Sequence, residues 1–150
     1  MSAFKDLAPS GTLRVGVAVG PTIEAGLVAI EKGKPRGIAV DLGTGLARRL
    51  GVPVRFVSYP GPGPLVDAAA HGNWDVAFVA VDEEKKKLID YGAAYIVGQF
   101  TVAIAVPKGR SAGLAYASAF VEDVKASGVL RRSLDNVGLT TTRVAPAVKP

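Results

Sequence analysis

The chain has 150 residues, of which 49% are hydrophobic, and it carries a formal net charge of +5. This length suits one domain with a buried core, and this apolar content excludes an intrinsically disordered chain. The positive charges are scattered and have no interleaved aromatic residues, which argues against a nucleic-acid partner, and no apolar run is long enough for membrane insertion.

The first half of the chain alternates between predicted strands and helices. Residues 13–19 alternate and are rich in valine, which predicts a strand. Residues 41–50 carry one apolar face at helical spacing, and 52–58 is a second strand. A short helix follows at 65–71. Residues 75–81 form a continuous apolar run, the pattern of a parallel strand that is buried on both faces.

The second half adds one strand and two helices. Residues 100–106 predict a strand, and a long helix opens at Ser111 or Gly113 and ends at Gly128. A second helical piece covers 129–134, after which the chain is rich in threonine and proline. We predict an α/β three-layer sandwich with helices on both faces of a mainly parallel sheet. Residues 1–12 are predicted as an N-terminal extension, 13–137 as a single α/β lobe and 138–150 as a flexible tail.

No constellation of catalytic residues is found. Gly109–Gly113 matches G-x-S-x-G between a strand and a helix, but the single histidine, His71, precedes the serine, so the hydrolase order fails. Ser111 or a neighbour is instead predicted to cap the long helix. Asp82 and the two glutamates after it are adjacent and do not converge as an acid/base pair. With one histidine and no cysteine, we predict no metal, no cofactor and no enzymatic activity.

A binding site is predicted at the carboxyl ends of the strands, where ligands of open α/β sheets lie. Tyr59 and Phe78 are candidates for apolar walls of this site. The backbone of Ala80 and the side chain of Asp82 are candidates to orient the polar atoms of a solute.

Two blocks of the sequence resemble type 2 periplasmic solute-binding proteins of the amino-acid class. They are residues 35–51, with the pattern G-x-x-V-D-L, and 74–95, with the pattern W-D, an apolar run, then D-[FY]-x-x-x-Y. The resemblance implies one lobe of a two-lobed fold. Residues 13–97 and 98–137 are similar to the start and end of lobe 1, joined at the former hinge, with lobe 2 excised near Val97 and Gly98. The strand returning from Gly98 is expected to insert antiparallel to its neighbours.

The resemblance also implies which residues contact the solute. By position, Ala18 stands where the family has an acidic residue, and Phe78 stands where it has a glycine. Ala80 and Asp82 stand at the positions of two threonines. Lys85 stands at the position of the arginine that binds the carboxylate of the solute. Lysine keeps the charge but loses the bidentate fork. A subfamily with D-P-x-R at this point is more similar, which makes Asp82 and Lys85 the strongest candidates. The alternative for Lys85 is one of three solvated lysines.

By resemblance, the function is that of an isolated lobe for a small polar solute such as an amino acid, with weak or lost binding. Its partner is the permease of an ABC transporter. The family implies a periplasmic location, although the chain as written has no signal core and would stay in the cytoplasm.

Two alternatives to this function remain open. One is a self-associating structural module, a homodimer through the former inter-lobe face. Candidates for that face are Tyr59, Pro60, Tyr95, Val97 and Phe100. The other is a dehydratase-like enzyme on the same fold.

Overall fold

The computed structural model describes residues 2–21, 28–98 and 100–147. The strands are β1 (Leu13–Ala18), β2 (Ala29–Glu31), β3 (Lys34–Arg36), β4 (Val54–Tyr59), β5 (Val76–Ala80), β6 (Ile89–Val97), β7 (Val102–Pro107) and β8 (Arg143–Val144). The α-helices are α1 (Ser2–Leu7), α2 (Ile38–Leu50), α3 (Pro62–Asp67), α4 (Ser111–Ala126) and α5 (Val129–Asn136). Two short 3₁₀ helices cover Ala68–His71 and Glu84–Lys87.

The central sheet has the strand order β4-β1-β5-β7-β6-β8, and β2 and β3 form a separate hairpin. Strand β1 pairs in parallel with β4 and β5. Strand β7 pairs antiparallel with both β5 and β6, so β6 runs in the direction of the first three strands. The predicted α/β fold class is confirmed, including the antiparallel strand that returns after Gly98. The sheet also contains β8, a second antiparallel strand that we did not predict.

Successive side chains of the strands point to opposite faces of the sheet, so both faces are apolar. Helices cover both faces, and each face has its own buried apolar cluster. On one face, side chains of α2, α4 and α5 pack against β-strand residues such as Val15 and Ile104. On the other face, Leu65 and Val66 of α3 pack with Trp74, whose indole N–H donates to the carbonyl of Leu65 at 2.8 Å. Each fully buried leucine of this kind stabilises the fold by about 1.5–3 kcal/mol.

The glycines of α2 allow this helix to lie close to its neighbours. A Cβ at Gly43 would come within 2.9 Å of the Val15 side chain, and one at Gly45 within 3.1 Å of Phe120. Glycine inside a helix costs about 1 kcal/mol relative to alanine. Here that cost is offset because the missing Cβ atoms let α2 pack directly on β1 and α4.

The predicted N-terminal extension is in contact with the lobe. Within it, α1 packs on the start of α4, and Leu7 is fully buried. The carboxylate of Asp6 accepts a hydrogen bond of 2.9 Å from the backbone N–H of Gly113. This corrects the predicted cap of α4: no side chain caps the helix at its own N-cap residue, Arg110, and Ser111 is already helical. A carboxylate from a distant segment stabilises the helix start instead.

Part of the predicted flexible tail is likewise held against the sheet. Strand β8 pairs with Ile96 and Val97 at the end of β6. The ammonium of Lys125, whose side chain is only 4% exposed, donates to the carbonyls of Ala94 and Pro146, both at 3.0 Å. These contacts fix residues up to 147, while residues 148–150 and Met1 lie outside the described part.

The join near Val97 and Gly98 is a hairpin. Strand β6 ends at Val97 and β7 begins at Val102, with Ile96 paired to Val102. Gly98 has a φ of 156°, close to the extended range. The chain therefore passes from one crossing strand to the next through four residues, at the point where a second lobe would be attached.

Candidate functional site

The carboxyl ends of β1, β4 and β5 meet at one edge of the sheet. Ala18, the last residue of β1, is paired with Tyr59, the last residue of β4. The Ala18 carbonyl accepts a hydrogen bond from Val28 N–H at 2.9 Å, and only 3% of the residue is exposed. Ala18 is thus buried at this edge and offers almost no surface to a solute, and it lacks the acidic group that the family resemblance places there.

Tyr59 is half-buried beside Ala18 and packs against the cluster that contains Leu65 and Trp74. Burial raises the pKa of its phenol, and the positive charge of Arg14 partly opposes this shift. The side chain is therefore neutral at physiological pH. It can present an aromatic surface to a solute, as the sequence predicted.

The segment that follows β5 is held on several sides. The hydroxyl of Tyr91 donates to the carbonyl of Ala80 at 2.8 Å. The N–H of Val81 donates to the carbonyl of Thr101 at 2.8 Å, which ties this segment to the β6–β7 hairpin. The Ala80 carbonyl that we predicted to orient a solute thus already has one donor and keeps one further acceptor position.

Asp82 and Lys85 lie together on the turn after β5. Oδ1 of Asp82 accepts from the backbone N–H of Glu84 at 3.0 Å, and the Asp82 carbonyl accepts from the N–H of Lys85 at 3.1 Å. Asp82 therefore caps the first free N–H of the short 3₁₀ helix, at Glu84. Since the cap uses only Oδ1, Oδ2 remains able to accept from a solute.

The three lysines of this turn differ in their partners. Lys86 forms an ion pair with Glu83 at 2.8 Å, and Lys87 forms one with Glu84 at 3.5 Å. Lys85 is half-buried, and within the described residues it forms no ion pair. Its ammonium is thus the one of the three that is not neutralised by a neighbour there.

Phe78 does not reach the edge surface. Its side chain is 2% exposed and lies in the core, where it packs edge-on against Tyr95 with ring centroids 5.7 Å apart. It belongs to the opposite face of the sheet from Ala18. A buried ring of this kind offers no wall to a solute, which corrects the role predicted for Phe78.

Two neighbours of the site were not among the residues predicted for it. Tyr91 belongs to the D-[FY] pattern, but nothing in that pattern indicates that its hydroxyl reaches Ala80. Phe100, next to Thr101, is 65% exposed. A shallow cavity of about 430 Å³ also lies nearby, and its lining includes Tyr91 and Val81 but none of the six predicted residues.

A buried ionic cluster lies at the other edge of the sheet. Asp75 is fully buried, and its carboxylate accepts from Arg14 Nη2 and from Arg110 Nη1, each at 2.9 Å. The hydrogen bonds that Arg14 donates to the Asp75 carboxylate raise the pKa of Arg14. Since Asp75 precedes β5 and Lys85 follows it, this cluster supports the strand from the end opposite to the site.

Within the described ranges, no three acidic or histidine side chains gather to hold a metal ion. No described helix combines the length and apolarity needed to cross a membrane.

The sequence profile of the bacterial extracellular solute-binding proteins, family 3, matches residues 14–137. No curated protein sequence matches the chain significantly.

Among solved structures, the arginine-bound form of domain 1 from TmArgBP is similar, with a TM-score of 0.68 and 24% identity over 79% of this chain and 97% of that one. A mutant of ArgBP from T. maritima has a TM-score of 0.75 and 15% identity, over 90% of this chain and 98% of that one. An ancestral cyclohexadienyl dehydratase has a TM-score of 0.74 and 16% identity, over 89% and 95%. At these identities the likeness shows the fold alone.

Proposed function

This chain belongs to family 3 of the bacterial extracellular solute-binding proteins, and we propose that its single lobe binds a small polar solute such as an amino acid. The observation that carries this proposal is the ammonium of Lys85, half-buried at the carboxyl edge and without an ion pair among the described residues. It lies three residues from Asp82, whose Oδ2 remains able to accept hydrogen bonds. A positive and a negative group on one turn suit a zwitterion.

The chemistry of recognition follows from these groups. Lys85 attracts the carboxylate of the solute, and the charge-assisted hydrogen bond is about twice as strong as a neutral one. Asp82 accepts from the ammonium of the solute. Tyr59 supplies an aromatic surface beside Ala18, against which an apolar part of the solute can pack. Because Lys85 acts as a point charge without the arginine fork, carboxylate geometry is selected less strictly.

Binding is expected to be weak, with a Kd of about 1 mM. A two-lobed protein closes around its solute and excludes water, whereas one lobe leaves the other side of the solute in solvent. The arginine-bound structure of domain 1 from TmArgBP supports the idea that a single lobe of this fold can hold an amino acid.

The test is a titration of the ¹⁵N-labelled protein with each of the twenty standard amino acids, followed by NMR. We expect at least one to shift the amide resonances of Asp82 and Lys85. Lys85→Ala should then weaken its binding about fivefold or more, which corresponds to about 1 kcal/mol. Lys87→Ala is the matched control, because Lys87 already pairs with Glu84 and is exposed. Equal effects of the two substitutions, or no shifts at about 10 mM amino acid, would refute the proposal.

We also propose, from the family, that the natural partner is the permease of an ABC transporter and that the protein works in the periplasm or outside the cell. Binding to a permease would be tested in membranes that contain the permease of an amino-acid ABC transporter. Loss of the interaction on denaturing the lobe is the control.

Self-association is the second candidate, and the exposure of Phe100 favours it. Phe100 is 65% exposed, and Val81, whose N–H bonds to the neighbouring Thr101, is 37% exposed, so the hairpin and the end of β5 each expose an apolar side chain. Tyr95, which we predicted in this interface, is fully buried and is not part of it. Light scattering distinguishes the candidates: a dimer that Phe100→Ser dissociates supports self-association, and a 15.4 kDa species at all concentrations excludes it.

A dehydratase-like activity is the third candidate. It has only the fold likeness to an ancestral cyclohexadienyl dehydratase in its favour. The six predicted site residues contain a single carboxylate, Asp82, and therefore no acid/base pair. Dehydration of a cyclohexadienyl substrate by the purified lobe would establish this activity.

A further inference from the structure

The hydroxyl of Tyr91 connects two strands that are not neighbours in the sheet. Tyr91 lies on β6, and it donates to the carbonyl of Ala80 at the end of β5, at 2.8 Å. Strand β7 lies between β5 and β6. The hydrogen bond therefore spans a whole strand and ends where the candidate site begins.

The same hydroxyl also interacts with the backbone of Asp82. Burial raises the pKa of the Tyr91 phenol, and the negative charge of the Asp82 carboxylate raises it further. Hydrogen bonding by the Asp82 backbone opposes this shift. Only a donor stabilises the phenolate, so the backbone N–H of Asp82 is the group that acts on the phenol oxygen. The hydrogen bond seen in the geometry is the one that the hydroxyl donates to the Ala80 carbonyl.

Small residues on this face of the sheet allow the phenol ring to reach that far. Tyr91 is paired with Ala105 of β7, and Ala105 is paired with Ala77 of β5. Ala77 and Ala105 belong to the apolar cluster against which Tyr91 packs. Larger side chains at either alanine would occupy the surface over which the ring lies.

We propose that Tyr91 is a positioning residue of the solute site, whose hydroxyl fixes the backbone at Ala80 and thereby sets where Asp82 and Lys85 present their charges. The inference rests on the proposed function, because it assigns Tyr91 a role in that same site. Two further contacts leave this turn few other ways to move: Val81 N–H bonds to Thr101, and Asp82 caps the 3₁₀ helix that carries Lys85.

The experiment compares Tyr91→Phe with Tyr116→Phe in amide hydrogen exchange and in NMR titration with L-arginine. Tyr116 is the matched control, since its hydroxyl makes only a long hydrogen bond of 3.4 Å to Arg49, at an exposed site away from the turn. We expect Tyr91→Phe to accelerate exchange of the Asp82 amide about tenfold while the β1 and β5 amides keep the wild-type rates. We also expect the Kd for L-arginine to rise about threefold, with no change for Tyr116→Phe.

The possible results separate the two proposals. Unchanged exchange at Asp82 overturns the positioning role, and so does an equal acceleration throughout the core, which would mean a general loss of stability. Local acceleration with an unchanged Kd overturns it as well, because the turn would then move without consequence for binding. If the wild-type protein binds none of the twenty amino acids, the proposed function fails. In that case the role of Tyr91 in holding the turn is still decided by the exchange rates alone.

Discussion

Replacing Asp75 with asparagine is expected to lower the free energy of unfolding by about 3 kcal/mol, at the low end of the cost of breaking a buried ion pair. The wild-type carboxylate accepts four hydrogen bonds. Three come from Arg14, through N–H at 2.9 Å, Nε at 3.1 Å and Nη2 at 2.9 Å, and one comes from Arg110 Nη1 at 2.9 Å. Asparagine has the same shape, but its NH₂ group faces a guanidinium donor and it carries no charge.

The magnitude depends on how much water can reach the two arginines. Asp75 is fully buried, whereas the side chains of Arg14 and Arg110 are 23% and 20% exposed. Removing one partner of a buried ion pair costs about 3–5 kcal/mol, and partial hydration of the arginines that remain favours the lower value. For a domain of this size, that corresponds to a fall in Tm of about 6–12 °C.

Urea denaturation at pH 7, followed by circular dichroism, measures this loss. Asp123→Asn is the matched control: Asp123 pairs with Arg49 at 2.7 Å, but its side chain is 64% exposed, so its loss should cost under about 1 kcal/mol. A loss below about 1 kcal/mol for Asp75→Asn would contradict the assignment of this cluster as a buried ionic support. The amide resonances of the turn after β5 should stay in place, since the cluster lies at the opposite edge.

Three further substitutions test other parts of the lobe. Lys108 and the adjacent backbone lower the pKa of Asp90, so its stabilising contribution is present above the ordinary value of 3.8 and is lost as the pH falls through the lower folded-state value. Asp90→Asn should therefore reduce stability by a few tenths of a kcal/mol at pH 6 and match the wild type at pH 2, as read from urea midpoints; a constant difference would contradict this. Gly92→Ala places a Cβ 2.4 Å from a serine hydroxyl of α4 and should cost about 1–3 kcal/mol in thermal melts, whereas Gly61→Ala, with open space around it, should be nearly neutral. Lys125→Met removes the donor to two carbonyls and should lower the free energy of unfolding by about 2 kcal/mol. It should also speed digestion of the tail by carboxypeptidase. Equal digestion rates for the variant and the wild type would show that other contacts hold the tail.

Local patterns were enough to predict the strands and helices that carry their own periodicity. The apolar run before Asp82 became β5, and the long helix predicted from Ser111 or Gly113 to Gly128 became α4. The features that we did not predict correctly depend on contacts between distant segments of the chain. Strand β8 has two residues and exists only because the end of β6 offers it a partner, and the cap of α4 comes from Asp6, more than a hundred residues away. Neither leaves a periodic signal.

The candidate site shows the same division. Asp82 caps a turn at a strand end, which follows from local sequence. Phe78 was misassigned because a strand that is buried on both faces has no polar alternation, so the sequence does not reveal which face each side chain takes. The reach of Tyr91 to Ala80 could not be predicted either, because it requires the order of three strands and the small side chains between them.

The four-residue link between β6 and β7 also bears on how fast this lobe can fold. If a second lobe of about 100 residues were inserted at this point, these strands would pair only after that domain had been bridged. A loop of about 100 residues is between four and five doublings longer than the four-residue link. Each doubling of loop length adds about 0.6 kcal/mol to the free-energy cost of loop closure, so the short link lowers the cost of pairing β6 with β7 by about 3 kcal/mol. The contact order of the whole sheet falls with it. The lobe should therefore refold faster than the same sheet does when it carries a second lobe, and the hairpin is a natural place for its folding nucleus.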